Sequence, residues 1–115
     1  AGSPISAVEN IEKYIPTNPI SSPVDFFLRV KGDSMKDIGI IENDLVGVKK
    51  ASTAENGSVV VARLEDEVTL KRFVQENGKI KLVAENKKFD DILIDHNSGF
   101  SLEGIAVGVV REDVF

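Results

Sequence analysis

The sequence predicts a mostly β domain, folded from hairpins into a barrel or a sandwich, and three observations support this. Short apolar runs rich in β-branched residues recur from Val24 onward, a pattern typical of strands. Two Glu-Asn-Gly triplets, at 55–57 and 76–78, are turn signals beside such runs. No segment carries the apolar stripe at three- and four-residue spacing that indicates an amphipathic helix.

The strands are expected in a regular succession along the chain. The first is VDFFLRV, which the polar stretch KGDSM at 31–35 interrupts. Further strands are expected at 44–50, 58–64, 68–74, 79–83, 89–95 and 102–110. Asn77-Gly78 between two of these runs is the strongest short hairpin signal. Gly104 and Gly108 lie inside the last run and mark expected bends or bulges.

The N-terminal segment differs from the rest in its prolines. All four, Pro4, Pro16, Pro19 and Pro23, lie within residues 1–23, which excludes a regular helix or a central strand throughout. Its stretch SAVENIEKY could form a helical turn or an extended segment. We therefore expect an irregular arm at 1–23 and one β domain at 24–115, since 115 residues suit a single domain. The start at AGSPIS, without an initiator Met, suggests a fragment.

Composition excludes several functions for this domain. The net charge of −5 and the pI of about 4.9 do not suit binding to phosphates or to anionic membranes. The chain has no Cys, which rules out disulfides, thiol nucleophiles and Cys-based zinc sites. It also has no apolar run long enough to span a membrane. The composition fits a cytoplasmic protein, and nothing in it indicates a cofactor.

Ser34 is the candidate nucleophile. It lies in GDSMK after a predicted strand, and Gly32 permits an unusual backbone angle there. The backbone amide of Ser34, with that of Met35 or Asp33, could stabilise an oxyanion. The simpler interpretation is ordinary turn chemistry, because Gly-Asp-Ser is common in turns.

A serine nucleophile needs a base, and two kinds are available. The single histidine, His96, falls in a probable loop and is more simply a surface residue. A metal site built from it with Asp90, Asp91 and Asp95 lacks a recognised spacing, so no metal is expected. The other solution is a Ser-Lys pair. Lys71 lies inside an apolar strand in which neither face is plainly solvated, so its amine could be buried and neutral.

Several stretches closely resemble the LexA family of self-cleaving serine peptidases, which includes phage repressors and UmuD. The resemblance covers nearly the whole chain and is carried by SPISAVENIE, FLRVKGDSMKDIGIIENDLV, NGSVVVARLEDEVTLKRF and LEGIAVGVVR. The Ser-Met pair after Gly-Asp, the TLKR block and the 37-position interval from Ser34 to Lys71 are its specific motifs. It implies a LexA-like β fold.

The resemblance also implies a function. Ser34 is the expected nucleophile, Lys71 the general base and Ala1-Gly2 the bond cut within the same chain. Family members are cleaved when a RecA filament on single-stranded DNA binds them, which separates a helix-turn-helix domain that binds operator DNA from a dimerising domain. The sequence leaves open a UmuD-like polymerase accessory subunit, a phage repressor domain, or a non-enzymatic dimerisation module. The apolar last strand is either the homodimer edge or an internal strand.

Overall fold

The fold is an antiparallel β sheet. The computed structural model describes the backbone of residues 11–16 and the backbone and side chains of residues 23–111. Within these ranges there are eight strands: β1 Ile11–Pro16, β2 Phe26–Val30, β3 Leu45–Lys50, β4 Val59–Leu64, β5 Glu67–Glu76, β6 Lys79–Val83, β7 Ile92–Ile94 and β8 Phe100–Val110. A short 3-10 helix, η1, spans Lys36–Ile38.

All eight strands belong to one curled sheet. Their order is β1-β2-β3-β8-β4-β5-β6-β7, and β1 comes close to β5. The prediction of a mostly β domain is confirmed, and the curled single sheet corresponds to its barrel-like form. Part of the arm, β1, is extended and pairs with β2 as the outermost strand in this order, which is a position where Pro16 is tolerated.

The hairpin predicted at Asn77-Gly78 is confirmed, because β5 and β6 pair up to Glu76 opposite Lys79. Both turn residues have positive φ, 53° and 76°, as a type I′ turn requires. A second tight turn joins β4 to β5, where Leu64 lies opposite Glu67. Its first residue, Glu65, also has a positive φ, 57°, although the turn contains no Asn-Gly pair to signal it. The first Glu-Asn-Gly triplet forms a turn ahead of β4.

The irregularities predicted in the last strand are present. The pairing of β8 shifts register once against β3, beside Gly108, and once against β4, beside Gly104. A Cβ added at Gly104 would lie 2.5 Å from a methyl of Val48 and 2.7 Å from the carbonyl oxygen of Lys49. Gly104 is therefore required for close approach of β8 to β3.

The core lies on both faces of the central strands. One cluster includes Met35, Val61, Val68 and Leu70, and the other includes Val60, Ala62, Phe73 and Leu82. Neighbouring residues of β4 divide between the clusters, since side chains alternate along a strand. In β5 four consecutive residues, Val68 to Lys71, are buried. This burial of both faces places a lysine in the interior.

Candidate functional site

The loop after β2 presents Ser34. The strand ends at Val30, and Gly32 then adopts φ 90°, the left-handed region predicted for it. The backbone turns at Asp33, whose carbonyl oxygen accepts a hydrogen bond from the amide of Lys36 at 3.2 Å. Ser34 is 2% exposed. The turn thus directs the hydroxyl into the protein.

Lys71 approaches from β5. It lies opposite Val60 of β4 in the antiparallel ladder, and it is 1% exposed. The sequence left the degree of its burial open, and the structure buries it almost fully. Since alternate residues share a face of the strand, Thr69 and Lys71 point to the same side, and Thr69 is also buried.

The amine and the hydroxyl are within hydrogen-bond reach. Nζ of Lys71 lies 3.3 Å from Oγ of Ser34 and 2.5 Å from Oγ1 of Thr69. Both of these acceptors are neutral hydroxyl groups. The structure therefore brings together the two residues that the sequence singled out, 37 positions apart, and adds Thr69 beside them.

This arrangement has a chemical consequence. Burial in an apolar interior penalises an ammonium ion and favours the neutral amine, which can accept a proton. Desolvation of a fully buried lysine can shift it strongly toward the neutral form. A neutral amine beside a serine hydroxyl is the pairing that general-base activation of the serine needs.

A contact that the sequence did not predict fixes the loop. Nδ2 of Asn86 donates to the carbonyl oxygen of Asp33 at 2.9 Å, and the amide of Asp37 donates to the carbonyl oxygen of Glu85 at 2.9 Å. Asn86 is 5% exposed. It follows β6 by only three positions, yet lies 53 positions from its partner, so no local sequence signal indicates the contact. The alternation of β5, by contrast, could have indicated Thr69.

The other predicted residues occupy varied positions. The side chain of Met35 is buried in the core, and its carbonyl oxygen accepts bonds from the amides of Ile38 and Ile40 at 3.3 and 3.4 Å. His96 is exposed in the β7–β8 connection, as expected of a surface residue. The proposed scissile pair, Ala1 and Gly2, lies outside the described residues.

The acidic residues near His96 do not gather around it. Asp91 pairs with Lys81 at 3.6 Å, and the carboxylate of Asp95 accepts the amide of Asn97 at 2.8 Å. Across residues 23–111, His, Asp and Glu side chains form no group of three or more suited to holding a metal ion. In the same part of the chain, no helix has the length and apolar character to cross a bilayer.

A β domain that holds a serine hydroxyl against a buried lysine amine has the pairing required of a serine peptidase that works without histidine. Comparison with known proteins identifies its family. The Peptidase S24-like family model matches residues 1–107. The chain belongs to the Peptidase S24-like family.

Curated relatives extend the comparison. The chain is 51% identical over 115 residues to a LexA repressor of Marinomonas sp. strain MWYL1, with 97% of this chain and 56% of the relative covered. It is 49% identical to LexA repressors of Bordetella parapertussis and Providencia rettgeri, with 96% of this chain and 52% and 56% of the relatives covered. The family resemblance stated from the sequence is confirmed. The chain spans about half the length of these relatives.

Proposed function

We propose that this domain cuts the Ala1-Gly2 bond of its own chain by a Ser-Lys mechanism, and that it is the autoproteolytic and dimerising part of a repressor of the SOS response. The observation that carries the proposal is the 3.3 Å approach of the buried Lys71 amine to Ser34 Oγ. Membership in a peptidase family supports it. The name LexA repressor on relatives at about half identity supports the cellular role.

The reaction follows from this pair. Lys71 takes the hydroxyl proton as Oγ of Ser34 attacks the carbonyl carbon of Ala1, forming a tetrahedral oxyanion. The amides of Ser34 and Met35 are the candidate donors to that oxyanion. Its collapse breaks the C–N bond, and Lys71 returns the proton to the Gly2 amine that leaves. Water then hydrolyses the Ala1 ester on Ser34.

The register of β1 supports cleavage within one chain. Ile11 lies opposite Val30, four positions before Ser34. Gly2 is nine positions before Ile11, and an extended chain covers about 3.3 Å per residue, so this tether reaches roughly 30 Å. A tethered bond has a high effective concentration at the serine. β1 also lies close to β5, which carries Lys71. This proximity likewise keeps the tethered bond near the site.

Dimerisation is proposed through the second half of β8. Residues 100–105 pair with β4, so this half is internal. Residues 106–110 pair with β3 alone among the described strands, and Val107, Val109 and Val110 are 43–52% exposed. An apolar strand with a free edge suits pairing with a second copy about a two-fold axis. Val109→Lys is expected to lower the dimer fraction in sedimentation at fixed concentration, and an unchanged fraction refutes this interface.

The proposed regulation changes the fraction of time that the cleavable arm is docked at Ser34. If the cleavable arm is docked only part of the time, cleavage slows in proportion to the docked fraction. A RecA filament that binds the docked form more tightly raises that fraction and adds no catalytic group. Operator binding belongs to a helix-turn-helix domain outside this chain, since this acidic domain is unsuited to DNA. A cytoplasmic location follows from this role.

The test uses the chain extended upstream by its native residues and incubated at alkaline pH. Self-cleavage should accelerate as the pH rises toward the pKa of Lys71, and Ser34→Ala or Lys71→Ala should abolish it. The exposed pair Ser101→Ala and Lys79→Ala are the controls and should cleave normally. Unchanged cleavage in either site variant eliminates the Ser-Lys mechanism. Absence of cleavage in the unsubstituted extended chain favours a non-enzymatic dimerisation module. A UmuD-like role predicts no helix-turn-helix region upstream.

A further inference from the structure

The segment that follows β6 ties the serine loop to the strand of the base. Asn86 holds the carbonyl oxygen of Asp33 and Glu85 holds the amide of Asp37, both at 2.9 Å. The carboxylate of Glu85 in turn pairs with Arg72 at 2.5 Å. Arg72 is the chain neighbour of Lys71. Residues 85–86 therefore connect the two elements that carry the proposed nucleophile and base.

The bond from Asn86 acts on the peptide that joins Asp33 to Ser34. In a planar trans peptide, the carbonyl oxygen of one residue and the N–H of the next point in opposite directions. Fixing the Asp33 carbonyl therefore fixes the direction of the Ser34 N–H. The bond from the Lys36 amide to the same oxygen is local to the turn and moves with it. The bond from Asn86 comes from another part of the fold and sets the peptide against the sheet.

Asn86 is itself held in place. Its Oδ1 accepts the amide of Lys88 at 3.0 Å, and its carbonyl oxygen accepts the amide of Phe89 at 3.1 Å. These bonds, with its burial, restrict the side chain to one orientation. They also assign Nδ2, the donor, to the side that faces Asp33.

We propose that Asn86 is a positioning residue for self-cleavage, because its amide fixes the Asp33–Ser34 peptide and so aims both the serine and its N–H at the scissile carbonyl. This inference rests on the proposed function. Asn86 touches neither reacting group. Its effect is to remove the alternative peptide orientation in which the Ser34 N–H points away from the developing oxyanion.

The test is Asn86→Asp in the upstream-extended chain. The substitution keeps the side-chain shape and the acceptor for Lys88, but it places a carboxylate oxygen against the Asp33 carbonyl in place of the donor. The alkaline plateau of the cleavage rate should fall about 10- to 100-fold. This is less than the roughly 100- to 1000-fold cost of removing an oxyanion donor outright, because the Ser34 N–H is misdirected and not lost. The pH midpoint of the rate is compared in the neutral variant Asn86→Ala, because a new carboxylate close to Lys71 shifts the titration of its amine. In Asn86→Ala the midpoint should not move. Labelling of Ser34 by a small organophosphonate should slow in parallel.

Asn86→Ala is the second variant and keeps the test decisive if the aspartate variant folds poorly. It brings no repulsive oxygen, so the expected fall is smaller, about 3- to 10-fold. Gly104→Ala is the control for lost stability, because its steric clash is with β3. Wild-type rates in Asn86→Ala, a pH midpoint that shifts in Asn86→Ala, or a fall no larger than in Gly104→Ala at equal stability overturns the proposal. Cleavage by Ser34→Ala would instead overturn the proposed function.

Discussion

Replacing Lys71 with methionine tests the buried amine directly. Methionine has a similar length, no charge and no need for water, so Lys71→Met removes the cost of neutralising the lysine on folding. For an amine that is neutral in the native state, that cost is about 1.36 kcal/mol for each pH unit below the unfolded value of about 10.4. Ser34 and Thr69 each lose a donor, at about 1 kcal/mol each. The variant should therefore be more stable than the wild type at pH 7.

The sign of the pH dependence follows from proton counts. Below about pH 10.4 the unfolded chain holds a proton on Lys71 that a neutral native amine lacks, so wild-type stability rises with pH, by up to about 1.36 kcal/mol per unit. By pH 10 the remaining cost is about 0.7 kcal/mol, and the lost hydrogen bonds leave Lys71→Met about 1 kcal/mol less stable than the wild type. The order of the two stabilities should reverse.

Urea denaturation followed by circular dichroism at pH values from 7 to 10 measures this reversal. The chain has no Trp and one Tyr, which makes circular dichroism the better signal. Lys79→Met, at an exposed lysine of β6, is the matched control and should differ from the wild type by a constant amount. A constant difference for Lys71→Met as well would mean that the native lysine keeps its proton, and the reasoning on the base would be refuted.

The remaining predictions concern the neighbours of the site and the frame of the sheet. Thr69→Val removes an acceptor of Lys71 and should lower both the cleavage plateau, about 10-fold, and the stability, by about 1 kcal/mol; a wild-type plateau argues against a role for Thr69. Arg111 holds the pKa of the buried Asp44 below its usual value, so Arg111→Met should lose about 1 kcal/mol at pH 7, discounted because the arginine is half exposed. A carboxyl group whose pKa is lowered by folding stabilises the native state only at a pH above that pKa. The stability difference between the wild type and Arg111→Met should therefore disappear as the pH falls below about 4 through the lowered pKa of Asp44. A difference that persists in acid denaturation contradicts the assignment. Gly104→Ala should cost about 1–3 kcal/mol in urea unfolding, whereas Gly108→Ala, with nothing within 4 Å of its added Cβ, should cost far less; equal losses would contradict the close approach at Gly104.

The strands could be predicted from sequence because both of their signals are local. β-branched runs and the Asn77-Gly78 turn depend on neighbouring residues alone, and they located β5 and β6 closely. The turn at Glu65 was not predictable in this way. A glutamate at φ 57° carries no turn preference, and the pairing of β4 with β5 imposes that angle on it. The strand at 11–16 was obscured by the prolines around it.

The residues of the candidate site also differ in whether a local sequence signal indicates them. Ser34 and Lys71 were found because a serine on a tight bend and a lysine in an apolar strand are candidates on local grounds, and because both lie in motifs of the LexA family. Asn86 was not found, because an asparagine in a polar loop is ordinary until the fold brings it against Asp33. Contacts between distant segments depend on the curl of the sheet, which periodicity does not specify.

One physical cause, exclusion of water, accounts for both the proposed activity and its restriction. In the proposed mechanism, the burial that makes Lys71 a base also encloses Ser34, at 1% and 2% exposure respectively, so a substrate must enter a dry site in a fixed geometry. A segment of the same chain meets that demand at low entropic cost, because β1 begins opposite Val30, near the serine loop. An untethered peptide must be ordered from solution first. In the proposed mechanism the serine and the lysine stay together, and at a given pH the fraction of time that the arm is docked sets the rate.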